Sequence, residues 1–110
     1  MNFKYYQSLV DDAKAQTDKE LWIAEYGYPS DCPYTPEQLL NILGIIFDTA
    51  HNDINSLIAR VGKMTDFAKL YKIPYRTVQD WKCGNSEPSQ YLISLIGYTL
   101  VQTRQENHIR

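Results

Sequence analysis

The 110-residue sequence has few of the residues that mark secreted, membrane-spanning or metal-binding proteins. It contains two cysteines, Cys32 and Cys83, with no C-x-x-C spacing and no neighbouring histidine pair. Neither a zinc site nor a redox dithiol is therefore predicted. Its apolar runs are short, and the N-terminus lacks a basic stretch followed by an apolar one. These absences argue against a membrane span and a signal peptide, so we expect a cytoplasmic protein.

Catalytic motifs are also missing. The chain has only five glycines and no phosphate-binding glycine loop, nucleophile elbow or metal triad. Acid pairs such as Asp11-Asp12 are adjacent, so on a helix their carboxylates point in different directions rather than flanking one substrate bond. We predict that the protein is not an enzyme and has no catalytic residues, no metal and no cofactor.

Charge is unevenly distributed along the chain. Residues 1–53 contain three lysines and nine acidic residues, a formal charge of −6. Residues 54–110 contain eight basic and four acidic residues, a formal charge of +4. The split predicts a basic C-terminal surface that could meet a polyanion, and an acidic N-terminal part that faces something else.

What the chain does contain is helical periodicity. Hydrophobic residues make up 44% and charged residues 22%, the composition of one globular domain. Apolar residues recur at spacings of three and four, and no alternating strand pattern or internal repeat occurs. We predict an all-α protein, a compact helical bundle, in which the loop "YPSDCPYTP" separates the first helices from the rest.

Capping signals predict where several helices begin. Thr17, Thr35 and Thr65 are expected as N-caps. Glu20 is the expected reciprocal partner of Thr17, and Gln38 that of Thr35. The helix after Thr35 is apolar on more than one face and should be central. The last helix is expected to bury a stripe made of Leu92, Leu95, Ile96 and Leu100.

The segment "DFAKLYKIPYRTVQDWKCG" has the form of a helix-turn-helix: two short helices, a tight turn, and a second helix with polar residues outward. From Ile54 to about Leu100 the chain resembles the Cro/CI phage-repressor class of helix-turn-helix domains, the XRE type. The matching features are Phe67-Ala68, Val78, Trp81, the closing Gly84, and Pro88 at the start of the next helix. Lys72 stands at the turn position where the family commonly has glycine.

The resemblance implies a sequence-specific DNA-binding transcriptional regulator, a repressor, that acts on double-stranded DNA as a homodimer. The 75–82 helix would read the major groove. By resemblance and by helical position, the base-reading residues are Tyr75, Arg76, Thr77, Gln79 and Asp80. The residues expected at phosphates are Lys63, Thr65, Lys69 and Lys82. Two interpretations of Asp80 stay open, because its carboxylate could accept from cytosine N4 or could oppose DNA binding.

The sequence is thus divided into three regions. Residues 1–53 form an acidic helical extension, residues 54–103 the helix-turn-helix DNA-binding region, and residues 104–110 a polar tail that should fray. The extension is expected to supply a dimer interface or a site for a protein partner. An alternative function is a protein-binding inhibitor or adaptor of phage or mobile-element type, anti-CRISPR-like, that keeps the helix-turn-helix as a scaffold. Arg76 and Gln79 would then be ordinary solvated helix residues.

Overall fold

The structure, a computed structural model, describes residues 1–106. Its regular elements are helices joined by loops. No strand occurs among those residues, so the predicted all-α class is confirmed. The Cα radius of gyration of 14.1 Å is near the value of about 13 Å expected for a compact chain of roughly 100 residues. The helices are α1 (Phe3–Lys14), α2 (Lys19–Tyr26), α3 (Pro36–Ala50), α4 (Ile54–Val61), α5 (Met64–Tyr71), α6 (Tyr75–Cys83) and α7 (Gln90–Glu106).

Helix α3 is the centre of the bundle, as its apolar sequence predicts. It begins with the predicted capping box: the Thr35 hydroxyl accepts from the Gln38 N–H at 3.1 Å, and Gln38 Oε1 accepts from the Thr35 N–H at 2.9 Å. Helices α1, α2, α4 and α7 all pack on α3. The leucines, isoleucines and phenylalanine of α3 are therefore buried, with the exception of Leu40, which is 57% exposed.

Helices α1 and α7 pack closely together on α3 at Tyr6 and Gly97. The Tyr6 side chain is fully buried, and its hydroxyl donates to the carbonyl oxygen of Ser94 at 2.9 Å. Burial raises the pKa of Tyr6 to about 12. A side chain at Gly97 would overlap the hydroxyls of Thr49 and Tyr6. Glycine at this position is what allows α7 to approach α3 so closely.

The predicted stripe of α7 is partly wrong. Two of its four positions are buried as expected, but Leu92 and Leu95 are only half-buried. Ile93 and Val101 are fully buried instead. The buried face is centred on Gly97, because the close approach to α1 and α3 sets the rotation of α7.

The predicted cap of α2 is wrong by one residue. Asp18 rather than Thr17 is the N-cap, and its Oδ1 accepts from the Leu21 N–H at 3.1 Å. Aspartate caps helices at least as well as threonine, so the neighbouring residue takes this position when both are present. The other end of α2 stops at Gly27 with φ of 73°.

A buried carboxylate joins the oppositely charged halves of the chain. Asp48 of α3 is 3% exposed, and its Oδ1 lies 2.8 Å from Lys19 Nζ. Its Oδ2 lies 3.2 Å from Nη2 of Arg60 in α4. Helices from both halves therefore share one core, and residues 1–53 pack on the helices that follow them through polar as well as apolar contacts.

At the C-terminal end, α7 continues to Glu106, three residues into the predicted polar tail 104–110. Residues 107–110, for which fraying was also predicted, lie outside the described residues. Within residues 1–106, none of the helices has the length and apolar character needed to cross a membrane.

Candidate nucleic-acid interface

Helix α5 begins earlier than its predicted cap. Lys63 is the N-cap residue and Thr65 already lies in the first turn, so the prediction of Thr65 as the cap is wrong. The Asp66 carboxylate accepts from the Lys63 N–H at 3.3 Å, the reciprocal half of a capping box. Asp66 is the third residue of α5, and its bond back to the Lys63 N–H holds the start of the helix. No capping side chain at Lys63 is needed. Thr65 is exposed on the outer side of the helix.

Three residues connect α5 to α6, beginning with Lys72. Lys72 adopts the left-handed conformation, with φ of 54° and ψ of 43°. The N–H of Ile73 then donates to the carbonyl oxygen of Ala68 at 3.0 Å, which closes the end of α5. A lysine in this conformation costs about 1 kcal/mol or more relative to glycine. The turn is thus closed as a glycine would close it, although the chain has lysine there.

Helix α6 has a buried and an exposed side. Val78 is fully buried and Trp81 is 7% exposed, on a helix that packs against α4 and α5. Three of the five predicted base-reading side chains are exposed, namely Tyr75, Arg76 and Gln79. The other two are partly shielded, namely Thr77 and Asp80. The predicted inward pair and the most accessible predicted readers therefore lie on different sides of α6.

Arg76 and Asp80 interact across one turn of α6. Arg76 Nε lies 3.7 Å from Asp80 Oδ1, and the Arg76 side chain is 85% exposed. An ion pair this open to water contributes little stability and releases its arginine at little cost. The guanidinium is thus directed along α6 but remains available to a ligand.

The C-terminal end of α6 is closed by Gly84. With φ of 81°, Gly84 lets the Asn85 N–H donate to the Asp80 carbonyl at 2.9 Å, while its own N–H donates to the Trp81 carbonyl at 3.2 Å. This pair of bonds is a Schellman motif, as the predicted closing glycine requires. Lys82, in the last turn, is exposed next to it.

The fold brings three predicted contact residues to one shallow groove. Thr65 and Lys69 of α5 and Tyr75 of α6 line a groove of about 280 Å³. Ala68 and Ile73 complete its lining. The groove has an apolar floor and a polar, cationic rim, so it can take an apolar group while the Lys69 ammonium stays in water.

Positive charge surrounds the pair of helices. Four exposed lysines lie on or beside them, namely Lys63, Lys69, Lys72 and Lys82. With Arg76 and two aspartates, residues 63–84 carry a formal charge of +3. Sequence reasoning gave Lys72 a role only in the turn. Because Lys72 is exposed next to the N-terminus of α6, we add it to the candidate phosphate contacts. The feature of the sequence that could have indicated this role is the lysine itself, at a turn position that favours glycine.

Tyr71 fixes α5 to α7 behind this surface. Its hydroxyl lies 2.6 Å from Thr99 Oγ1. Burial raises the pKa of Tyr71 above its ordinary value, with an opposing contribution from the bond to Thr99. The hydrogen bond between Tyr71 and Thr99 therefore holds the two-helix unit against α7.

Metal ligation finds no support in the described part of the chain. Within residues 1–106, no group of three or more histidine, cysteine, aspartate or glutamate side chains is arranged to hold a metal ion.

Comparison with known proteins assigns no family. No protein-family model matches the chain. No curated protein and no solved structure matches it significantly. The resemblance to Cro/CI-type domains therefore rests on the residues quoted above.

Proposed function

We propose that the protein is a sequence-specific DNA-binding regulator of transcription, a repressor, that reads the major groove with α6. One observation carries the proposal: Arg76 and Gln79 are exposed on a helix that buries Val78 and Trp81 against its neighbours. Recognition helices place such exposed residues at base edges in the major groove. The formal charge of +3 on residues 63–84 favours approach to phosphates.

Arg76 is the main specificity contact in this proposal. A guanidinium can donate two hydrogen bonds to guanine O6 and N7, worth about 1–3 kcal/mol of discrimination. Gln79 suits adenine, and Asp80 can accept from cytosine N4 while it directs Arg76 towards the adjacent base. Tyr75 and Thr77 complete the reading surface.

Phosphate contacts would supply most of the affinity. The proposed set is Lys63, Thr65, Lys69, Lys72 and Lys82. Each lysine that neutralises a phosphate releases a counterion, so binding should weaken steeply as salt is raised. These contacts position α6 but do not distinguish one sequence from another.

The proposed regulator acts as a homodimer in the cytoplasm, without enzymatic activity. A single α6 reads only a few base pairs, and two symmetric half-sites multiply the discrimination. We therefore expect a palindromic operator, with half-sites about 10 base pairs apart, one turn of the duplex.

Selection of bound sequences from a random duplex pool tests the proposal directly. The wild-type protein should enrich a palindrome that contains a guanine in each half-site. The sequences selected by Arg76→Ala should show no preference for guanine at that position, and the variant should keep the fold. Absence of any enriched motif with the wild-type protein at low salt would contradict the proposed function.

A second candidate function is a protein-binding inhibitor or adaptor of phage or mobile-element type. It is favoured by the exposed apolar side chains of the acidic half, where Leu21 is 50% and Leu40 57% exposed. Retention on heparin at low salt separates the two functions. A DNA-binding regulator is retained and released by salt, whereas an adaptor that acts through its acidic surface is not.

A further inference from the structure

Helices α2 and α3 leave an apolar surface uncovered on the acidic half of the molecule. On α2, Trp22 is buried, but Leu21 is 50% exposed and Ala24, one turn later, is also exposed. Tyr28, just beyond the helix, continues the same stripe and is 52% exposed. Leu40 on α3 is 57% exposed. Contiguous exposed apolar surface on a soluble protein is a mark of interaction sites.

Three of these exposed residues, Ala24, Tyr28 and Leu40, line one open groove between the two helices. Its volume is about 360 Å³, and its walls are formed by Ile23, Tyr28, Pro36, Leu39, Leu40 and Leu43, with Ala24 and Gly27 at its edge. The Tyr28 hydroxyl donates to the Tyr34 carbonyl at 2.6 Å, so its polar end is already bonded and its ring faces the groove. The groove therefore offers almost purely apolar contacts.

Acidic residues lie on both helices that form the groove. Glu20 lies one turn before Ala24 on α2, Glu37 lies one turn before Leu40 on α3, and both are exposed. No lysine or arginine occurs between Lys19 and Arg60 in the sequence. Lys19 itself is bound to the buried Asp48. A groove with this rim repels nucleic acid and attracts positive charge.

We propose that the α2–α3 groove binds a basic amphipathic helix of a partner protein. Apolar side chains at spacings of three and four would enter the groove, and lysines or arginines on both flanks would meet Glu20 and Glu37. Helix-in-groove recognition uses this combination of a buried apolar face and charged flanks. Complementary charge sets the choice of partner and speeds association, while the apolar anchors hold the complex.

The site is independent of the proposed DNA surface. It lies on α2 and α3, whereas the DNA contacts are proposed on α5, α6 and the turn between them. Failure of the DNA selection would leave the groove proposal standing, and failure of the groove test would leave DNA binding standing.

Two synthetic helical peptides test the proposal. Both are about 18 residues long and carry the same leucine face, but one has lysines and the other glutamates on the flanks. Fluorescence anisotropy of each labelled peptide is measured against the full-length protein at low salt. We expect the lysine peptide to bind saturably and at least tenfold more tightly than the glutamate peptide.

Matched variants locate the binding. Leu40→Gln should weaken the lysine peptide at least tenfold, whereas Leu70→Gln should leave its affinity unchanged, because Leu70 is equally exposed at 59% but lies on α5. Glu20→Gln combined with Glu37→Gln should reduce the preference for the lysine peptide over the glutamate peptide. Thermal melts check that all variants keep the wild-type fold.

Three results would overturn the proposal. The first is equal affinity of the wild-type protein for both peptides, or no binding of either. The second is an equal effect of Leu40→Gln and Leu70→Gln. The third is self-association of the protein alone that Leu40→Gln removes in sedimentation equilibrium, which would assign the groove to a second copy of the chain.

Discussion

At the scale of single residues, exposure distinguishes the proposed base-reading side chains of α6 from those that pack in the core. Arg76 is 85% exposed and forms an ion pair with Asp80, whereas Trp81, one turn beyond Thr77, is 7% exposed. The two positions are close in sequence, yet one side chain is exposed and the other is buried in the core. Substitutions at each should therefore affect different measurements.

Arg76→Ala and Gln79→Ala should each reduce the preference for the selected duplex and leave the melting temperature nearly unchanged. Loss of a bidentate guanine contact removes about 1–3 kcal/mol of discrimination, roughly 5-fold to 150-fold in relative affinity. Fluorescence anisotropy titration with a selected duplex and with a scrambled one measures this loss.

Two other variants serve as contrasts. Lys82→Ala should weaken binding to both duplexes equally, and Trp81→Ala should cost about 3–5 kcal/mol of stability. Unchanged specificity in Arg76→Ala would remove Arg76 from the reading surface.

Two helical glycines differ in what surrounds them. Gly97→Ala places a methyl group against the hydroxyls of Thr49 and Tyr6, so it should lower the free energy of unfolding by about 1–3 kcal/mol. The matched control is Gly44→Ala, where the methyl group meets only the end of the Arg60 side chain at 2.8 Å. That atom, Nη2, also pairs with Asp48 at 3.2 Å, so its displacement has a cost, which the helix preference of alanine, about 1 kcal/mol, offsets. Urea denaturation of both variants should show a loss for Gly97→Ala alone, and equal losses would contradict the close approach of α7.

Tyr6 predicts a loss of stability at alkaline pH. Its pKa is raised by burial from 10.0 to about 12 in the folded protein. The folded state thus keeps a proton that the unfolded state loses, so the contribution is full below pH 10 and disappears between pH 10 and 12. A shift of this size corresponds to about 2–3 kcal/mol. Urea denaturation at pH 8 to 11 should show this fall, and Tyr6→Phe should reduce its slope. An identical slope in Tyr6→Phe would assign the fall to other tyrosines.

At the scale of helices, the ends set by local capping residues were predictable from the sequence. Ends and buried faces that depend on competing neighbours or distant contacts were not. The capping box at Thr35 and the stop at Gly84 follow from residues within one turn, and both were correct. The α2 cap failed because Asp18 competes with its neighbour for the same role. The stripe of α7 failed because its rotation depends on distant contacts at Gly97 rather than on its own periodicity.

The corrected caps predict opposite results for two threonines. Thr35→Ala should destabilise the protein by about 1 kcal/mol, because both capping-box bonds of α3 are formed. Thr65→Ala should leave stability unchanged, since α5 is fixed by the bond between Asp66 and the Lys63 N–H. Chemical denaturation measures both, and Asp66→Ala serves as the positive control for α5. A loss in Thr65→Ala as large as that in Thr35→Ala would restore Thr65 as the cap.

The candidate site was predictable to the same degree as the helices that carry it. The period of three and four placed Val78 and Trp81 inside and Arg76 outside, and the structure agrees. The shielding of Asp80 and the groove beside Lys69 depend on how α5 and α6 meet, which no single segment encodes. The apolar groove of the acidic half was hidden for the same reason, because α2 and α3 are separated by a loop in sequence.

At the scale of the whole molecule, the charge split does not divide the fold. Tyr6 near the N-terminus bonds to Ser94 near the C-terminus, and Asp48 is paired with both Lys19 and Arg60. Helix α7 belongs to the basic half but packs mainly on α3 of the acidic half. The two surfaces can face different partners while one core holds them in a fixed relation.

The shared core predicts that the basic half cannot fold alone. A fragment of residues 54–110 loses α1 and α3, so side chains such as Ile93 and Val101, fully buried in the intact chain, would become exposed. A chain of about 60 residues is marginal even with a complete core. We expect the fragment to show reduced helical circular dichroism, no cooperative melt and no specific DNA binding. Mixing it with residues 1–53 should restore helix content, because Tyr6, Asp48 and their partners come together again. A fragment that melts cooperatively on its own would show that the helix-turn-helix region is a separate domain and that the contacts across the halves are dispensable for its fold.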